Sequence, residues 1–193
     1  MSAAVASRMN TAANTANTVD HLRRLYFVRF VFAAAWAATF AALGSSLDAA
    51  SITLLILYPA FDVASAIIDA RSSRDPALYV NVAVSTAAAI GLAVAAADDI
   101  PAVLRTWGVW AIVAGLVQLV VALKRKRELG GQVAMILSGG ISVIAGAGFL
   151  RQASDATSMK LCAGYAALGG VFFLIAAVRL LRQSNQNKLS EVR

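Results

Sequence analysis

Asp62, Ser65 and Asp69 fall at i, i+3 and i+7 in an otherwise apolar run, so a helix puts all three on one face. A carboxylate in such a place binds a proton or cation, or it pairs with a fixed positive charge and sets packing. An ionised Asp near the centre of a bilayer costs about 2.5–3.5 kcal/mol on insertion scales, and each Leu, Ile, Phe or Val offsets only about 0.3–0.6. Pro59, three residues earlier, removes a backbone donor and bends the helix. Asp62 is therefore expected to face inward and to be neutral or paired. Arg29 is its natural partner. It lies about 6 Å in from the end of the preceding run, and Asp62 about 12 Å in from the same side, at 1.5 Å per residue. An extended Arg side chain covers that difference. Asp69 is closer to Arg29 in depth and is expected to compete for it. Two readings stand side by side: an interior ion pair, or a proton- or cation-binding carboxylate.

The elements that must position these groups are apolar and long. The 193-residue chain is 60% apolar and 14% charged, with a mean hydropathy of +0.72. A soluble chain is about 45–50% apolar and about 25% charged. Six runs are long enough, or nearly so, to cross a bilayer core: Leu25–Leu43, Ile52–Ala70, Leu78–Ala97, Val103–Leu123, Val133–Leu150 and Met159–Val178. Short connections make successive helices antiparallel. The expected fold is all-α, an integral-membrane six-helix bundle over 23–182. Residues 1–22 read as a disordered cytoplasmic N-terminus, since they are small and polar, and 183–193 as a cytoplasmic tail.

Charge fixes the expected orientation. Fourteen Lys and Arg residues fall at one side of the runs, and only Arg105, Arg151 and Lys160 at the other. By the positive-inside bias both termini are expected in the cytoplasm, with the chain multi-pass in a bacterial inner membrane. Lys124, Arg125, Lys126 and Arg127 fix topology and are candidates for anionic lipid headgroups. The bilayer is the expected partner, with a homo-oligomer as a further expectation. The net charge of +7 does not point to nucleic acid, because the basic residues punctuate apolar runs and form no basic face.

The even runs align without gaps. Asp62 to Arg71, Gly115 to Lys124 and Gly170 to Arg179 share a spacing of nine. The chain is read as three parallel helical-hairpin repeats, about 23–75, 76–128 and 129–182. Ala111 with Gly115, Ala166 with Gly170, and the Ser138, Ser142, Gly146 stripe are expected to pack helices closely. Gln118 aligns with Ser65 and joins the polar candidates. Asn81, Ser85 and Thr86 are expected to bond backbone or neighbouring helices. Tyr26, Tyr79, Trp107 and Trp110 are read as interfacial belts or packing.

One cysteine, Cys162, and one histidine, His21, give no intrachain disulfide and no His/Cys metal site. The chain has no nucleophile elbow, no phosphate-cradling loop and no paired metal carboxylates. No catalytic residue, metal or cofactor is expected, and the reading is not an enzyme.

His21-Leu-Arg-Arg24, Ala114-Gly115-Leu-Val-Gln-Leu-Val-Val-Ala-Leu-Lys124 and Leu168-Gly-Gly-Val-Phe-Phe-Leu-Ile-Ala-Ala-Val-Arg179 carry a resemblance. Six short spans in three hairpins, with a basic residue closing each even span, resemble the HdeD-type acid-resistance membrane proteins of bacteria. The likeness covers most of Arg24–Arg182 and is architectural. That family usually shows a Pro at each outer turn. Pro101 fits one turn, while those near Asp48 and Asp155 lack it. The resemblance implies a non-enzymatic inner-membrane protein of acid or membrane stress, with no catalytic residues to carry over. The alternative is a small proton-coupled transporter or channel using Arg29 and Asp62. No substrate is specified by either.

Overall fold

The computed structural model describes the backbone of residues 3–127 and 129–191, and the side chains of 17–127 and 129–185. Six α-helices follow in order: α1 (Ala3–Leu43), α2 (Ala49–Ser73), α3 (Pro76–Ala95), α4 (Ile100–Arg125), α5 (Gln132–Gln152) and α6 (Leu161–Glu191), with one 3₁₀ turn, Ala153–Asp155, after α5. All six are long and apolar enough to cross a membrane, which fits a multi-pass membrane protein. Large apolar side chains such as Ile90, Val94 and Ile144 lie on the outside, as a lipid-facing surface requires.

Three helices start on aspartates. Asp48 accepts the backbone N–H of Ser51 and takes part in a reciprocal capping box with it, Asp75 accepts from Ala77, and Asp99 accepts from Ala102. Each satisfies an orphan donor of the first turn. Pro76 and Pro101 follow in that first turn, where a missing N–H costs nothing. At the other end of the connection, α5 begins after Gly131, whose φ of +78° is left-handed. A Cβ there would also stand 2.8 Å from the carbonyl oxygen of Ala176, so both conformation and space demand glycine.

The helices close into a ring. Each packs against its neighbours in sequence, and α1 packs against α6. The most extensive packing joins α4 to α5, α1 to α6 and α2 to α3. These are not the pairs expected to form hairpin units, since α1 with α2 and α5 with α6 pack sparingly. Glycines explain the α4–α5 contact. A Cβ on Gly115 would lie 2.8 Å from the carbonyl of Gly139, and one on Gly146 would lie 2.5 Å from the carbonyl of Gly108. Two glycines seven residues apart on each antiparallel helix thus bring the backbones together. Gly108 and Gly139 were not among the packing candidates. Of those that were, Ala111, Gly115, Ser138, Gly146, Ala166 and Gly170 are buried and Ser142 is partly so. Gly170 faces Ala33 and Phe30 of α1.

The N-terminal expectation needs correction. The segment read as disordered is helical from Ala3 onward, with residues 1 and 2 outside the described set. Val19, Leu22 and Tyr26, at i, i+3 and i+7, make an apolar stripe within a core cluster that includes Phe173, Ala176 and Leu180 of α6. The tail likewise continues as helix to Glu191, and the side chains beyond 185 lie outside the described residues.

Candidate functional site: a polar cavity inside the ring

A cavity of about 90 Å³ lies within the ring and is lined by all six helices. A water needs roughly 10–15 Å³ of such space and two to four polar partners, so the cavity is large enough for several. It occupies the half of the ring nearer the basic helix ends. Tyr58, Trp110 and Tyr165 stand at its wall, and Trp36, Phe40 and Trp107 stack against them and fill the interior beyond.

Asp62 is buried at the wall of this cavity. Arg29 of α1 donates to its Oδ1. Asn81 Nδ2 and Ser85 Oγ of α3 each donate to Oδ2 at 2.7 Å. Ser85 in turn accepts from the indole N–H of Trp110 at 3.0 Å, which orders the hydroxyl proton toward Asp62. The guanidinium of Arg29 also sits 4.4 Å from the ring centroid of Phe173, an arrangement that favours a cation. One carboxylate thus ties together α1, α2 and α3, and through Ser85 reaches α4.

Pro59 shapes the neighbouring turn. It cannot donate to the carbonyl of Leu55, and Trp36 Nε1 donates to the adjacent carbonyl of Leu54 at 2.7 Å.

Asp69 does not compete for Arg29. It forms a two-pronged bond with Arg125 of α4, at 2.9 and 2.8 Å. The partner is four turns of α4 from Trp110 and comes from the cluster read as headgroup-binding. Arg125 is only 8% exposed, so it is withdrawn from the headgroup candidates. A guanidinium at the C-terminal turn of α4 is pulled inward because the fork matches the carboxylate. Lys124 bonds Asp75 at 3.2 Å. Lys126 and Arg127 remain exposed.

The other candidates divide. Gln118 lines the cavity and donates to the carbonyl of Met135 at 3.0 Å, joining α4 to α5. Ser138 and Ser142 also line it, with the Tyr165 hydroxyl donating to Ser142 at 3.2 Å. Ser65 is buried but does not line the cavity. Thr86 bonds its own helix, at the carbonyl of Val82. Trp107 and Trp110 are interior, whereas Tyr79 is exposed. Sequence reasoning missed the convergence of Asn81, Ser85 and Trp110 on Asp62. The available signal was the spacing of four between Asn81 and Ser85, which shares a face.

Outside the spans, two carboxyls are displaced from their ordinary range. The Ser51 N–H and the Ser46 hydroxyl hold Asp48 low. Partial burial pushes Asp75 up, but the Ala77 N–H and Lys124 prevail and hold it low. Among the described residues no group of three or more His, Cys, Asp or Glu could hold a metal.

No protein family, curated protein or solved structure matches this chain.

Proposed function

We propose that this multi-pass membrane protein handles a proton or small cation at the Asp62–Arg29 centre, without covalent catalysis. The observation that carries the reading is the carboxylate itself. It lies inside a closed ring, beside a cavity, held by three donors from two other helices. Charges inside a membrane protein are expensive and tend to mark ion or proton sites. An apolar interior would be cheaper, and replacing a buried pair by apolar residues is often neutral or stabilising.

The mechanism follows from the bonds. Neutralising Asp62 removes the charge that holds Arg29, leaving that guanidinium the ring face of Phe173. The pair is one of the ties between α1 and α2, beside the Trp36–Leu54 bond and the stacking of Phe32 on Phe61. Loss of the pair would then leave α1 held to α2 by the remaining aromatic contacts and the Trp36–Leu54 bond, and would loosen the wall of the cavity.

The physiological setting belongs to the same proposal. The HdeD-type resemblance supports a role in acid or membrane stress, in a bacterial inner membrane with cytoplasmic termini, and the charge bias supports that orientation. The test is flux. The full chain in proteoliposomes with an entrapped pH dye is expected to dissipate a pH gradient faster than empty vesicles. Asp62→Asn is expected to abolish that flux while the protein keeps its helical circular dichroism. A wild type no faster than empty vesicles contradicts the reading.

A further inference from the structure

A second concavity lies on the outside of the ring. It measures about 420 Å³, runs between α3 and α4, and is lined by Val84, Ala87 and Ala88 on one side and Thr106, Val109 and Val113 on the other. Its lining is almost wholly apolar, and Trp110 forms part of its wall. Arg105 borders it. Arg105 is exposed and donates to Ser154 at 3.2 Å, and among the described residues it has no carboxylate within ion-pair distance.

The depth of the groove suits one kind of occupant. Arg105 is five residues from the start of α4, or about 8 Å, and Val113 is about 12 Å deeper. On α3, which runs the other way, Ala88 and Val84 are about 10 and 16 Å from the end at Ala95. The groove therefore reaches from near the interface to near the midplane on the side opposite the basic helix ends. An apolar cleft open to lipid tails, with an exposed guanidinium at its shallow end that has no carboxylate partner among the described residues, matches a phospholipid in both shape and charge.

We propose that this groove seats one acyl chain of an anionic phospholipid, with the phosphate on Arg105. The chain lies against Trp110, whose indole N–H is committed to Ser85 and through it to Asp62. Lipid on the outside of the ring is thus two side chains, Trp110 and Ser85, away from the buried carboxylate. The site is independent of whether Asp62 carries flux.

Native mass spectrometry of the full chain, released from micelles containing phosphatidylglycerol or phosphatidylcholine, tests it. The wild type is expected to retain one phosphatidylglycerol in preference to phosphatidylcholine. Arg105→Gln is expected to lower that preference about fivefold, the weight of one basic residue near an anionic lipid surface, and Arg105→Lys to restore most of it. Val109→Trp alters a half-exposed position and fills the groove, so retention of either lipid is expected to fall. Equal retention of the two lipids by wild type, or unchanged retention in Val109→Trp and Arg105→Gln, overturns the proposal. So does a cysteine at Val109 that crosslinks a second copy in native membranes, since that copy would then occupy the groove.

Discussion

Removing either partner of the Asp69–Arg125 fork should destabilise the protein more than removing both. The two N–O contacts are 2.8 and 2.9 Å, so the charge centres are about 4 Å apart. At an effective permittivity near 20 that is worth about 4 kcal/mol of attraction. Taking each ion out of water costs several kcal/mol, so the pair as a whole is close to neutral. A single loss is different, because it strands the other charge. Asp69→Asn leaves Arg125, 8% exposed, with one amide oxygen in place of a carboxylate, and the expected cost is about 3–5 kcal/mol. Arg125→Gln strands Asp69, which is 6% exposed, at similar cost. The double variant can form a neutral amide pair, and its loss should be smaller than that of either single variant, below about 3 kcal/mol. The assay is reversible unfolding in mixed micelles, followed by circular dichroism for all four proteins. Additive effects, each under about 1 kcal/mol, would refute the reasoning and make the fork equivalent to an exposed salt bridge.

Four further outcomes are expected. Gly146→Ala forces a methyl to within 2.5 Å of the Gly108 carbonyl and should lower stability by about 1–3 kcal/mol. Gly164→Ala meets nothing within 4 Å and should leave the melting temperature unchanged or raised. Trp36→Phe loses the bond to the Leu54 carbonyl beside Pro59 and should cost about 1 kcal/mol in the same unfolding assay. Asp75 is held below its ordinary value when folded, so its stabilisation is full above that value and fades as pH falls through the lowered one. Melting of wild type should therefore drop in the acid range below about pH 4, and Asp75→Asn, which keeps an N-cap oxygen, should show a shallower drop.

The helices were legible because lipid imposes a simple length rule, and the six apolar runs correspond to α1–α6. Their ends were not. Asp48, Asp75 and Asp99 read as loop charges or went unremarked, yet each caps a helix and extends it beyond the apolar run. The reach from Arg29 to Asp62 followed from rise per residue, because both lie on helices joined in sequence. Asp69 and Arg125 are 56 residues apart, and depth arithmetic along one hairpin gave no sign of a partner on α4. Arg125 sits among three other basic residues, where composition suggests solvent or headgroups. Only the inward turn of the helix end distinguishes it. The ring itself was hidden for a related reason. Whether α1 meets α6 depends on small residues such as Ala33 and Gly170 facing each other across most of the chain, and spacing within one helix does not name its partner.

Ring closure around the cavity is tested most directly by a crosslink between its first and last helices, α1 and α6. On a Cys162→Ala background, cysteines at Ala33 and Gly170 would have Cβ atoms about 3.2 Å apart, near the separation a disulfide needs. In native membranes, mild oxidation is expected to link them within one chain, shown by a fragment that stays joined after cleavage in an engineered α3–α4 loop site. Failure of that pair to link, while helices α2 and α3 crosslink normally, would contradict the closed ring and with it the interior position of Asp62.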